Sequence, residues 1–291
     1  AIVETEPGTL LVATHGGGVQ PFHDGRFFKA LAASDDANGL PSRSWVRALV
    51  EQPGVGRWVG TDGDGLFLID GGQTQQWKAE ALGASSVHAL MLDSLGRLWI
   101  GTNRGIVCRE AGQFHILQRD HEGEATVFAF AEDDDGVIWA AGRKGLWRYT
   151  KGELQGMNQI NGQPLAAVAC LYKDKRGSFW LGLAGGRLLR RVNQRWVHYN
   201  ATNGLPDYEW AGMVEDAKGD LWISAAQGVI RILRDSLDAV ANGTAQKLSC
   251  QIFNRSDGMK SSTCRTGFGQ VALRSTDGRL WFATIKGLVV V

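Results

Sequence analysis

Cysteine is scarce, with four among 291 residues. Cys108 and Cys170 fall in strand-like stretches and read as small core residues. Cys250 and Cys264 stand fourteen residues apart in an irregular segment and could form a disulfide in an oxidising compartment. No pair has C-x-x-C spacing and no histidine accompanies them, so neither a metal site nor any other cofactor is expected. An excess of charge of one sign is also missing: 31 Lys+Arg against 30 Asp+Glu leave +1. That balance gives no electrostatic reason to expect nucleic acid or an anionic membrane as partner. No apolar run approaches the roughly 20 residues of a spanning helix, so no membrane segment is expected within these residues. The opening "AIVETEPG" has neither an initiator Met nor the basic-then-apolar plan of a signal peptide, and the chain reads as a mature or cropped fragment. Helical periodicity is nearly lacking. The exception is 234–243, where Leu233, Leu237 and Val240 share a helical face and "NG" supplies the stop. One short helix is therefore expected near 234–242.

Glycine (39) and tryptophan (11) are what the chain has in quantity. The tryptophans recur. Residues 93–105 read "DSLGRLWIGTNRG", and close copies follow at 133–145, 174–186, 216–228 and 275–287. Trp58, Trp99, Trp139, Trp180, Trp222 and Trp281 are spaced by 41, 40, 41, 42 and 59 residues, with Leu11 taking the same place 47 residues before Trp58. Seven units of about 40 residues with strand-like content are the signature of propeller blades. Each unit spells four strands separated by turns rich in Gly, Asn and Asp; in the third these are 87–93, 98–102, 106–110 and 114–118. A blade is apolar on both faces and cannot stand alone, whereas a closed ring covers every face. The expected fold is all-β: one seven-bladed β-propeller over 1–291. Its blades lie near 1–31, 44–78, 85–118, 125–157, 165–199, 208–253 and 267–291, with about four antiparallel strands each. The Trp of each second strand should plug the space between neighbours. The Asp three before the turn Gly should bond turn amides, and the Gly should supply a conformation other residues resist. The seventh unit stops without an outer strand, giving about 27 strands; a natural chain is expected to continue past Val291.

The unit "DSLGRLWIGTNRGI" resembles the two-component regulator propeller repeat, as do the "NGLP" connectors within 28–49 and 196–213. The loop "DGMKSSTC" and the final "DGRLWFATIKGL" resemble the family's last blade. Leu11 in place of Trp, "AAG" in unit four and "GLAGG" in unit five depart from the pattern. The resemblance implies a periplasmic or extracytoplasmic ligand-sensing module of a membrane-anchored bacterial receptor, a hybrid histidine kinase or a diguanylate cyclase. It also implies a homodimer formed through the full receptor. No kinase or cyclase motif and no phosphate-binding glycine loop lies in these residues, so a non-enzymatic domain is expected.

In a propeller the loop between strands two and three and the connector between blades emerge on one face, around one mouth of the central channel. The inner loops would bring His15, Asp62, Asp64, Asn103, Arg104, Arg143, Lys144, Gln227 and Lys286 there. The connectors would bring Arg43, Trp45, Asp207, Tyr208, Trp210 and Arg265. Cations outnumber carboxylates and aromatics are present, which suits a small polar or anionic ligand such as an oligosaccharide: an aromatic face stacks on a sugar ring and Arg grips a carboxylate or sulfate. Polar loop tips are also simply wet, and Trp45 and Trp210 occupy corresponding places that repeat packing alone would explain. His88, His115 and His198 lie in strands and read as ordinary polar positions. Two other functions fit a propeller. An enzyme of the glycosidase or lyase type would need facing carboxylates, which Asp62 and Asp207 would provide only by chance; adjacent Tyr208 and Glu209 would point to opposite faces of a strand. A pure protein-interaction platform is the other.

Overall fold

A computed structural model of the chain describes residues 1–14, 17–29, 44–120, 125–192, 194–264 and 269–291. Six antiparallel four-stranded sheets and one three-stranded sheet follow each other in chain order, each a simple meander. Together they form a seven-bladed β-propeller. The inner strands are Ile2–Glu6, Val46–Gln52, Val87–Leu92, Val127–Glu132, Val168–Lys173, Trp210–Glu215 and Ala272–Arg274. The seventh blade ends at its third strand, Gly287–Val290, so the described blades hold 27 strands. A two-stranded hairpin, Gln159–Ile160 with Gln163–Pro164, decorates the connector after the fourth blade. The expected helix spans Arg234–Ala241. Among the described residues no helix is long and apolar enough to cross a membrane.

The repeated letters have a common geometry. In "D-x-x-G-x-x-W", one carboxylate oxygen accepts the turn amides and the other accepts the indole N–H. Asp93 takes Leu95 N at 3.0 Å, Arg97 N at 2.8 Å and Trp99 Nε1 at 2.8 Å. Asp133, Asp174 and Asp216 hold Trp139, Trp180 and Trp222 at 2.9, 3.0 and 2.9 Å. Gln52 and Ser275 stand in for Asp beneath Trp58 and Trp281. The buried indole thus reaches the core with its donor satisfied. The turn glycine is left-handed, as at Gly96 (φ +76°), where a side chain would be strained.

The glycine after Trp has a different reason. A Cβ on Gly60 would fall 2.5 Å from Val87 Cγ1, and one on Gly101 would fall 2.9 Å from Val127 Cγ1. These glycines let the next blade's inner strand lie against the second strand. Trp58, Trp99 and Trp180 are fully buried in clusters that each join two blades, so the core is a ring of interblade layers. Carboxylates at inner-strand ends strap neighbours together. Glu132 accepts Ser94 N and Oγ of the preceding blade at 2.8 and 2.5 Å. Glu4 does the same to Thr276 N and Oγ1 at 2.7 and 3.0 Å, and Ile2 N donates to Gln270 O at 2.8 Å. The ring is closed by those contacts between its first and last blades. All four cysteines are free thiols, so Cys250 and Cys264 are unpaired here.

Candidate functional site

The inner strands do not pair evenly. In blades two to six the register skips one residue at the second position: Arg47, His88, Phe128, Ala169 and Ala211. Each is a β-bulge, where two residues oppose one and the extra side chain is re-aimed. The bulges ring the connector face, one per blade. Phe128, Ala169 and Ala211 line a central cavity of about 400 Å³. Its wall is built of small apolar residues, among them Ala89, Ala129 and Ala131. Tyr172, Lys173 and Arg274 stand at the end facing the Asp turns. A second cavity, also about 400 Å³, opens among blades seven, one and two, with Arg47 in its wall.

Around the connector mouth the polar side chains form an arc over blades two to four. Arg47 donates to Asp62 Oδ2 through Nη2 at 2.6 Å and Nε at 3.2 Å. Ser86 Oγ donates to the other oxygen of Asp62 at 2.8 Å. Ser86 N reaches Asn103 Oδ1 at 3.3 Å, and Thr126 Oγ1 reaches Asn103 O at 3.4 Å. Lys144 Nζ pairs with Asp120 at 3.1 Å. Ser44 Oγ donates to Asp64 at 2.8 Å. Trp45 lies at the start of this arc, 45% exposed, with the Arg47 guanidinium 5.9 Å from its ring centre.

The electrostatics follow from burial and pairing. Burial alone would raise the Asp62 carboxyl, but hydrogen bonds from Arg47 and Ser86 hold it below its ordinary value. His88 is buried. That burial pulls its imidazole down to about 4; Asp62 opposes the fall and Arg47 adds to it. At neutral pH the mouth therefore carries a paired Asp62 carboxylate beside a neutral imidazole.

The sequence-predicted residues divide. Trp45, Asp62, Asn103, Arg104, Arg143 and Lys144 fall on the arc. Arg104 donates its amide to Thr102 Oγ1, and Arg143 donates its amide to Thr126 O; Arg143 and Lys144 are exposed. Gln227 and Lys286 are exposed on turns of blades six and seven, away from that arc. Tyr208 is half-buried against the core between blades five and six. Trp210 is corrected: it is 1% exposed, its Nε1 donates to Arg187 O at 2.9 Å, and it packs on Gly182. It is the first paired residue of its inner strand, opposite Ala225, and so faces the core. His15, Arg43 and Arg265 lie outside the described residues. Sequence reading missed Arg47 as a site residue and took His88 as ordinary. The signal that could have found them is their shared place, second in a strand whose first residue is Val.

Residues 81–104 match a family model described as Two component regulator propeller. The third repeat is of that type. No curated protein matches in sequence. Among solved structures, the chain is similar to a protein described as the extracellular domain of a hybrid two component system from B. thetaiotaomicron. The TM-score is 0.77 at 20% identity, over 100% of this chain and 38% of that one. This chain thus spans well under half the length of that relative. It is also similar to virginiamycin B lyase from Staphylococcus aureus, with TM-score 0.73, 15% identity and 99% and 92% of the two chains covered. A third likeness is to PorZ of Porphyromonas gingivalis, a surface component of the type-IX secretion system, with TM-score 0.72 and 17% identity over 100% and 46%. At these identities the structural likenesses carry the fold.

Proposed function

We propose that this domain is the extracytoplasmic ligand-sensing propeller of a membrane-anchored two-component receptor. It binds a small polar or anionic ligand of the oligosaccharide kind at the connector mouth, and it binds without turnover. The observation that carries the reading is the arc itself. An exposed indole, Trp45, stands beside a guanidinium, Arg47, with Asp62 and Asn103 next in line. Stacking plus charge-assisted hydrogen bonds is how proteins hold sugars that bear carboxylates or sulfates. The match at 81–104 supports placing that chemistry in a receptor, and the extracellular relative supports the compartment. The same arc would hold the ligand while the rest of the receptor carries the response.

The test is a thermal-shift screen of acidic and neutral oligosaccharides, followed by titration of Trp45→Ala and Arg47→Lys. The expected result is a rise in Tm with acidic sugars that falls at least about tenfold in affinity in either variant, the scale of one lost stacking or bidentate contact. Trp45 is exposed, so its variant keeps the fold. Turnover of a chromogenic glycoside, or a hit that binds Trp45→Ala as well as the parent, would replace the reading.

A further inference from the structure

One position near the end of each inner strand has a shared duty. It lies opposite the residue before the tryptophan: Glu132 opposite Ile138, Lys173 opposite Phe179, Glu215 opposite Leu221 and Arg274 opposite Leu280. Its side chain answers the turn of the preceding blade, one residue past the turn Asp. Glu132 accepts Ser94 N at 2.8 Å, and Glu215 accepts Lys175 N at 3.0 Å. Where that turn residue is itself acidic, Asp134, the position holds Lys173, and the two pair at 2.6 Å. Leu92 follows Pro53, whose nitrogen bears no hydrogen. Glu51 follows Glu6 and turns instead to Arg57 of its own blade at 2.8 Å. Arg274 breaks the match. The turn residue before it is Ala217, whose side chain accepts nothing and whose N–H is another donor. Among the described residues Ala217 N donates to no acceptor and the Arg274 guanidinium has no ion pair. Arg274 Nε is buried without a hydrogen-bond partner.

Arg274 stands at the end of the central cavity that faces the Asp turns, and Tyr172 lines the same end. Tyr172 Oη accepts Glu215 N at 3.2 Å, and among the described residues its O–H has no acceptor. Burial pushes the phenol up and the Arg274 charge opposes that rise, so the guanidinium's field reaches it. Nearby Lys173 and Glu215 are already held by Asp134 and Lys175 N. One end of the channel thus gathers donors and lacks an acceptor. The wall beyond them is apolar, with Ala129, Ala131, Leu171 and Met213 in it. Its cavity of about 400 Å³ falls in the range of small-molecule sites, roughly 300–1,000 Å³.

We propose that this end of the channel binds a small monocarboxylate with an apolar body. The carboxylate replaces the missing strap. It accepts the Ala217 amide as Glu132 accepts that of Ser94, and it pairs with the planar Arg274 guanidinium, whose fork matches two carboxylate oxygens. The apolar body lies along the alanine-rich wall and is removed from water there. An inorganic anion would leave that wall uncovered, and a sugar would bring hydroxyls to it that find no partners.

The probe is octanoate, titrated into the 291-residue chain by calorimetry, with hydrogen exchange read at the Ala217 amide. Exchange there should slow at least about tenfold at saturation. Octanol and acetate each lack one half of the chemistry and should bind at least about tenfold more weakly than octanoate. Arg274→Gln should weaken octanoate to the same degree, the scale of one lost charge-assisted hydrogen bond. Ala217→Asp is the sharper variant, because it copies the Asp134 arrangement of the fourth blade and gives Arg274 a partner of its own. It should raise the Tm of the unliganded chain and abolish octanoate binding. Absence of octanoate binding, octanol bound as tightly as octanoate, binding that leaves Ala217 exchange unchanged, or full affinity in Ala217→Asp would each overturn the proposal. None of these readouts involves Trp45 or Arg47, so the connector mouth and the opposite end of the channel succeed or fail separately.

Discussion

Between the fifth and sixth blades a helix clamps the outer surface; between the seventh and first an aromatic pair and a carboxylate strap join the blades. The clamp is the helix Arg234–Ala241, inserted after the third strand of blade six. Arg234 Nη1 pairs with Asp174 Oδ2 at 2.6 Å, side chains 5% and 1% exposed. Asp174 is the turn carboxylate that also holds Trp180. Arg190 donates to Asp238 of the helix, which Arg234 Nε reaches at 3.3 Å. Tyr199 Oη donates to Leu237 O at 3.1 Å. The insertion that lengthens the Trp222–Trp281 step thus folds back over the preceding blade. The other seam holds Phe22 against Trp281, edge-on at 5.5 Å, and the Glu4 strap. The contrast places the difference between seams in the insertion: blades share their inner three strands, and the helix after the third strand of blade six is what clamps one seam.

Cutting the clamp should have the largest effect. Arg234→Ala leaves the Asp174 carboxylate buried without its ion partner, an arrangement that costs about 3–5 kcal/mol; urea denaturation should register it as a lower midpoint. At the seam of the first and last blades, Trp281→Ala should cost about 3 kcal/mol, the low end for a buried tryptophan. If the two seams lose equally, the contrast between them fails. Acid separates the arc from both seams. The depressed His88 means that the unfolded chain binds the extra proton first. Its contribution is complete above about pH 6.5 and is lost as pH falls toward about 4. The Asp174 and Asp238 carboxyls, held low by their arginines and hydrogen bonds against the effect of burial, give way only below about pH 4. Stability measured from pH 7 to 4 should therefore decline, and His88→Gln should flatten that decline while Arg234→Ala leaves its slope unchanged. The smallest change should come from Glu4→Ala, about 1 kcal/mol for the loss of its hydrogen bonds from Thr276 and Gly8, visible as faster exchange at Thr276 N.

The frame was legible because its chemistry repeats. Asp, Gly and Trp stand at fixed intervals since each turn solves the same problem, a buried indole N–H and a tight reversal, and the period then counts the blades. The helix was legible from Leu233, Leu237 and Val240. The mouth was less so. Trp45 and Trp210 look equivalent along the chain, yet Trp45 precedes Val46, where its strand's ladder with the second strand begins, while Trp210 begins its own. One position separates a 45% exposed indole from a 1% exposed one, because side chains along a strand alternate between faces. The bulges left no common letter, since Arg47, His88, Phe128, Ala169 and Ala211 share a place and no chemistry. Register is set across strands, and a single unit does not spell it.

Those five skipped positions have a wider meaning. At each of them two residues oppose one, so the side chain is re-aimed while the ladder on either side runs on. A substitution at one of them changes a single spoke of the connector face, as a lock is re-keyed by changing pins and leaving the cylinder alone.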